Sequence, residues 1–281
     1  MSHKPPELIT SLENALVKRV RLMLRDGSAY RKIGLVWLEG DHLCRAAHAA
    51  GWRAQTLIWS QDGLDKVTKR LSPAHAAALH ALKATAAQEV VFSDKVLRAV
   101  TALDSLPTVC GLFAGPAAGA GTSGEVGLHP EEPTVILDRL QDPGNIGSII
   151  RSAAALGFKQ LVAMKGSAAL WTPKVVRAGM GAHFALRLFE ACDVSALAAL
   201  RVPLLVTSSH GGDWLHEATL PWPCAWVLGH EGQGVSEALM ARASQAIRIV
   251  QPGGEESFNV AAAAAICLHA SAASEAAKKA R

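Results

Sequence analysis

Three polar, glycine-punctuated runs hold the residues of this chain that could do chemistry. The first is Asp138-Arg139-Leu140-Gln141-Asp142-Pro143-Gly144-Asn145-Ile146-Gly147-Ser148-Ile149-Ile150-Arg151, after a short apolar strand pattern at 134–137. Pro143-Gly144 predicts a tight turn, and Asn145 a helix start where its amide can cap. A helix N-terminus offers exposed N–H groups and suits an anion such as a phosphate. Arg151, one to two turns further along, adds a permanent cation. The plainer alternative is a capping Asn145 and a salt-bridging Arg151.

The second run is Leu228-Gly229-His230-Glu231-Gly232-Gln233-Gly234-Val235-Ser236. Its glycines allow a tight loop and close backbone approach to a flat ligand. Glu231 is either a functional or a structural loop carboxylate, and His230 reads as a solvated or locally hydrogen-bonded side chain. The third run extends from Ile249 through Val250-Gln251-Pro252-Gly253-Gly254-Glu255-Glu256 to Ser257-Phe258-Asn259-Val260. There Ser257 can cap the last helix, and Asn259 can hydrogen-bond across the site.

These runs need elements to position them. After residue 133 the pattern alternates, with strands expected at 134–137, 160–163, 204–208, 225–228 and 246–249. Helices are expected at 146–156, 173–178, 194–200, 236–242 and 259–271. Such alternation implies an α/β fold with a mainly parallel sheet covered on both faces. Ligands bind at the carboxyl ends of its strands, where all three runs sit. The first 113 residues also alternate. A helix capped by Ser11 and ending at Arg25 precedes strands at 33–38, 56–59, 89–92 and 109–113, with helices at 41–50, 64–71, 73–85 and 95–102. Between the halves, 114–133 is rich in Gly, Pro and small residues and reads as a flexible linker. The expected division is 1–113, linker 114–133, and 134–281.

Composition narrows the class. The chain has 281 residues, is 50% hydrophobic and carries a formal net charge of +4, which permits an acidic partner without proving one. Lys18, Arg19, Arg21, Arg25, Arg31 and Lys32 cluster around a lone Asp26, as a solvated helix face or a phosphate-binding one. The five cysteines are scattered without zinc-ligand spacing, so no metal is implied and free buried thiols are expected. No signal peptide and no membrane span is expected, which places the protein in the cytoplasm. No dinucleotide fingerprint follows a predicted strand, which argues against a dehydrogenase, and there is no P-loop.

The three runs, in this order, resemble the motifs of the SpoU (TrmH-like) RNA ribose 2′-O-methyltransferases of the SPOUT superfamily. Asn145, Gly147 and Arg151 match N-x-G-x-x-x-R. Glu231 matches the glutamate of G-x-E-x-x-G, and Glu256-Ser257-Phe258-Asn259-Val260 matches E-S-L-N-V. The resemblance implies a SPOUT domain with a C-terminal trefoil knot that forms a pocket for S-adenosyl-L-methionine. It implies Arg151 as catalytic arginine, Asn145 in support, and Glu231, Ser257 and Asn259 completing the set. Gly229, Ile249 and Phe258 would line the cofactor pocket, mostly through backbone groups, with Thr207 and Gly234 beside them. Two departures stand out. Ile249-Val250-Gln251 replaces I-P-M, which would loosen the loop, and Phe258 replaces leucine, which would narrow the pocket.

The implied reaction is methyl transfer to a ribose 2′-hydroxyl of structured rRNA or tRNA. Either Arg151 takes the hydroxyl proton, or a charged Arg151 stabilises the alkoxide while water, phosphate or Glu231 takes it. A guanidinium is effectively always protonated near neutral pH, which makes the first costly. The front half, with S-x-x-N-x-x-V-K from Ser11 to Lys18, is similar to the L30e-like RNA-binding domain preceding many SpoU domains. Family members act as homodimers. The rival readings are a catalytically silent RNA-binding protein that keeps the fold and an RNA base methyltransferase.

Overall fold

The computed structural model describes residues 5–63, 72–114, 127–253 and 257–279. The predicted helix at 64–71, most of the predicted linker and the Glu255-Glu256 pair fall outside them. In chain order the first half forms β1 (Glu7–Ile9), α1 (Ala15–Arg25), α2 (Ala29–Ile33), β2 (Leu35–Glu39), α3 (Asp41–Ala49), β3 (Ala54–Ser60), α4 (Pro73–Thr85), β4 (Glu89–Phe92), α5 (Asp94–Arg98) and β5 (Val109–Ala114). The second half forms β6 (Thr134–Leu137), α6 (Pro143–Ala155), β7 (Gln160–Met164), α7 (Pro173–Gly179), β8 (Arg187–Cys192), β9 (Leu204–Thr207), β10 (Asp213–Trp214), β11 (Ala225–Leu228), α8 (Glu237–Met240), β12 (Gln245–Arg248) and α9 (Val260–Lys279).

The described chain divides into two compact units, one made of the first half plus 171–184 and the other of the rest. The first unit holds a mixed sheet in the order β1-β4-β3-β5-β2, with β5 antiparallel to both neighbours. Its α1 buries Val17, Val20 and Met23 on one stripe. Within this unit α7 packs on β2. Arg177 reaches the buried Glu39 carboxylate at 3.5 Å, and Trp52 meets Trp171 and Phe184 with ring centroids 5.1 and 5.2 Å apart.

The second unit holds a sheet in the order β10-β12-β9-β11-β6-β7-β8, with every neighbouring pair parallel. Its central strands are buried along their whole length, as a sheet covered on both faces requires. Successive residues face opposite layers. In β11, Ala225 and Val227 join Ile136, Val162 and Val206 in one core. On the other face, Trp226 donates from Nε1 to Ser271 Oγ on α9 at 2.9 Å. A buried tryptophan removes roughly 150–250 Å² from water, worth about 4–6 kcal/mol at about 25 cal/mol/Å².

Some elements differ from expectation. Strands β1, β8 and β10 are additions. β8 reads poorly because Glu190 interrupts its apolar run and Ala191 sits at φ 53. Residues 29–33 coil into α2 before Gly34, at φ 72, starts the expected strand later. The segment expected as a helix at 194–200 is a 3₁₀ stretch, Val194–Ala199. α1 is capped by Asn14, whose side chain accepts from Leu16 N–H, and not by Ser11.

Candidate active site

Parallel pairing sets the site. Leu228 pairs with Leu137, and Thr207 with Ile247. β12, β9, β11 and β6 therefore end side by side, with Thr207 closing β9 and Ile249, Gly229 and Asp138 just past the ends of the other three. This is the end of a parallel sheet where ligands bind.

Glu231 is the hub of that edge. Its Oε1 accepts from the Asp142 N–H and from Asn145 Nδ2, both at 3.3 Å, and its Oε2 from the Gln141 N–H at 3.4 Å. Asn145 Oδ1 in turn accepts from Asn259 Nδ2 at 3.0 Å. One residue from each polar run thus joins a single hydrogen-bonded chain. Burial pushes the Glu231 carboxyl up, but the donors of its own backbone, Asn145, Asp142 and Gln141 outweigh it and hold it below the ordinary carboxylate range. The group is ionised at neutral pH, with its oxygens already engaged.

The caps correct two expectations. Pro143 and Gly144 are not a turn but the first residues of α6, and Asp142, not Asn145, caps it by accepting from the Asn145 N–H at 2.7 Å. That frees the Asn145 side chain to face Glu231 and Asn259. The last helix is capped by Asn259 and not by Ser257: Asn259 Oδ1 accepts from the Ala261 and Ala262 N–H groups at 2.9 and 3.3 Å. Arg151 lies exposed on α6, and Ser257 is exposed just before α9. Neither is hydrogen-bonded to the Asn145–Glu231–Asn259 chain.

The expected cofactor residues lie on the same edge. A Cβ on Gly229 would sit 2.3 Å from Gly234 C and Val235 N, so only glycine lets the loop cross itself there. Gly234 has φ 68 and exchanges two backbone hydrogen bonds with His230, whose Nδ1 accepts from the Gly232 N–H at 3.0 Å. Thr207 donates its hydroxyl to Val227 O at 3.2 Å. Ile249 is half-buried, while Val250 and Phe258 leave apolar surface in solvent at 40% and 42% exposure.

A model of the SpoU rRNA Methylase family matches residues 132–269. That stretch belongs to the SpoU rRNA methylase family. A crystal structure of an S-adenosylmethionine-bound rRNA methyltransferase from Sinorhizobium meliloti superposes with a TM-score of 0.79 at 26% identity, covering 94% of this chain and 97% of that one. Among curated relatives, the zebrafish (Danio rerio) mitochondrial rRNA methyltransferase 3B is 35% identical over 176 residues, 62% of this chain and 36% of the relative. The Bacillus subtilis 23S rRNA (guanosine(2553)-2'-O)-methyltransferase RlmP is 32% identical over 145 residues, 50% of this chain and 58% of the relative. The chain therefore spans between a third and three-fifths of the length of these two curated relatives.

Around the SpoU motifs the structure adds residues that the sequence reading passed over. Asp138 is buried, and its Oδ2 accepts from the Ser236 N–H at 2.6 Å. Arg139 Nε donates to Asp138 Oδ1 at 3.0 Å, and its other nitrogens reach Gln233 Oε1 at 2.7 Å and Gly234 O at 3.3 Å. The D-R pair sits inside the first run, but its partners follow almost a hundred residues later, so no local pattern announces it. The basic cluster lies in the first unit. Lys18, Arg19, Arg25 and Lys32 are exposed, and Arg21 and Arg31 half-buried. Lys18 pairs with Glu13 at 2.7 Å on an open surface, where such a pair contributes little. Arg31 lies over the Tyr30 ring at 5.5 Å.

Proposed function

We propose that this protein transfers a methyl group from S-adenosyl-L-methionine to a ribose 2′-hydroxyl of structured RNA, ribosomal RNA first among the candidates. The observation that carries this reading is the Asn145–Glu231–Asn259 chain, which ties the three SpoU motifs together at the carboxyl edge of the parallel sheet. The Sinorhizobium meliloti structure, alike over nearly the whole chain, is of an rRNA methyltransferase with the same methyl donor bound. Residues 134–281, without the 171–184 segment that packs in the first unit, are the catalytic domain in this reading, with the implied knot as cofactor pocket. Residues 1–113, with Ala114 closing β5, belong to an L30e-like RNA-binding domain; the end of the expected linker 114–133 is not a free tether, since Leu128 packs in the core of the second unit and His129 N–H donates to Gln160 Oε1.

The methyl donor supplies an electrophilic, sulfonium-bound methyl group. Gly229, Gly234, Ile249, Phe258 and Thr207 would hold it along the strand ends. The chain's own residues then handle the hydroxyl. Glu231 is a poor base, because its oxygens are engaged and its carboxyl is held low; it anchors Asn145 instead. Arg151, exposed on α6, stabilises the developing alkoxide and the neighbouring phosphate as a cation, while the hydroxyl proton passes to water or to that phosphate. Ser257 and Asn259 complete the wall opposite. Lys18, Arg19, Arg21, Arg25, Arg31 and Lys32 contact RNA phosphates without reading sequence. The protein acts as a homodimer in a reducing compartment, the cytoplasm. All five cysteines are free and buried, which accords with such a compartment. Among the described residues no helix is long and apolar enough to cross a membrane.

The test uses methyl-labelled S-adenosylmethionine and total unmodified RNA, with wild type and Arg151→Ala. A methylated 2′-oxygen cannot attack its own phosphodiester, so label is expected in alkali-resistant dinucleotides and is lost in the variant. Label released as mononucleotides would make the protein a base methyltransferase. Failure to bind the methyl donor would make it a silent RNA-binding protein.

A further inference from the structure

We propose that Arg139 is a positioning residue that clamps the 229–236 loop into its ligand-ready shape, a role that rests on the methyltransferase reading above. The clamp starts from an unusual backbone. Arg139 has φ 61, in the left-handed region that non-glycine residues seldom adopt. Such a conformation persists where surrounding contacts over-determine it. Here they do. The buried Asp138 carboxylate binds the guanidinium at both oxygens, 3.0 and 3.4 Å away. The remaining donors reach Gln233 Oε1 and Gly234 O. From beneath, Gly166 packs on the side-chain stem, and a Cβ added there would lie 3.2 Å from Arg139 Cγ. Gln141 Nε2 donates to Arg139 O and to Gly166 O.

The segment therefore grips the loop at three places. Asp138 holds Ser236 N–H, Arg139 holds Gln233 and Gly234, and Gln141, Asp142 and Asn145 hold Glu231. Gly229 and Gly234 cross in backbone contact, so fixing Gly234 fixes Gly229. The proposed cofactor wall and the Glu231 anchor then depend on one guanidinium fork. A lysine, with a single ammonium, cannot span the acid and both loop acceptors.

The experiment compares the full-length wild type with Arg139→Met and Arg139→Lys. Backbone hydrogen exchange is measured without ligand, and S-adenosylmethionine binding by calorimetry. In Arg139→Met the His230 and Gly234 amides, which bond each other's carbonyls, are expected to exchange roughly ten-fold faster while β9 and β7 amides do not. Affinity for S-adenosylmethionine falls roughly ten-fold, with the kinetic loss larger in KM for the donor than in kcat, and Arg139→Lys recovers part of it. Unchanged exchange at His230 and Gly234 in a folded variant overturns the clamp. So does a loss confined to KM for RNA, which would make Arg139 an RNA contact. If the wild type binds no S-adenosylmethionine while exchange still quickens, the loop clamp stands and the methyltransferase reading is what fails.

Discussion

Asn259 does two jobs with one amide, and a pair of substitutions separates them. Its Oδ1 caps α9, and its Nδ2 donates to Asn145 across the site. Asn259→Asp keeps a capping oxygen, since Asp and Asn cap equally well, and adds negative charge at a helix N-terminus, worth about 0.3–1 kcal/mol. Toward Asn145 it replaces a donor with an oxygen facing Oδ1 at 3.0 Å. Asn145 cannot rescue the contact by flipping its amide, because Oδ1 would then face Glu231 Oε1, which now accepts from Nδ2 at 3.3 Å. Losing that bond and leaving two acceptors opposed costs about 1.5–3 kcal/mol at the site. At about 1.4 kcal/mol per decade, this is roughly a 10- to 150-fold loss in kcat/KM. Asn259→Ala loses the same bond and also the cap, worth about 1 kcal/mol of stability. Urea denaturation and labelled-methyl transfer on both variants are the assays. The expectation is two impaired enzymes, the aspartate variant at least as severely as the alanine, of which only the alanine variant is destabilised. Aspartate activity within two-fold of wild type would refute the reasoning about the site. Equal destabilisation by both would refute the cap.

Two further predictions follow from the geometry. In Gly229→Ala the new Cβ meets backbone at 2.3 Å, so the loop must open; donor affinity measured by calorimetry is expected to fall more than ten-fold, and wild-type affinity would remove Gly229 from the pocket. Burial pushes the Asp41 carboxyl up, but hydrogen bonds from His75 and Arg45 outweigh it and hold it below its ordinary value. A carboxyl lowered in the folded state contributes stability above its unfolded value of about 3.9, and that stability is lost as pH falls through the folded value. Urea midpoints taken from about pH 5 downward should therefore decline less steeply in Asp41→Asn than in wild type, by under about 1 kcal/mol because the group is partly exposed. Parallel profiles would mean that the pair contributes nothing.

What the sequence disclosed depended on how local the physics was. The strands of the parallel sheet were readable because burial on both faces demands unbroken apolar runs such as Thr134–Leu137 and Ala225–Leu228. The polar residues of the three runs were readable because each run follows an apolar strand pattern, and the carboxyl ends of parallel strands are where ligands bind. Caps were readable by type and not by position. Ser11 and Asn14, or Ser257 and Asn259, are all competent, and only the backbone angles choose between them. The Asp138–Arg139 clamp could not be read, because it exists only once β6 and β11 lie side by side. β10, two residues long, carries no periodicity at all.

The packing of α7 on β2 has a consequence for anyone rebuilding this protein. The first unit is not a contiguous stretch of gene: its sheet is completed by a helix encoded between β7 and β8. A fragment ending near residue 113 would leave Glu39 without Arg177 and Trp52 without Trp171 and Phe184. Grafting a foreign module in place of the first half would strand that same helix without its sheet. Modular exchange in this chain must move two pieces at once, and the segment 171–184 must match the front half as closely as any core strand does.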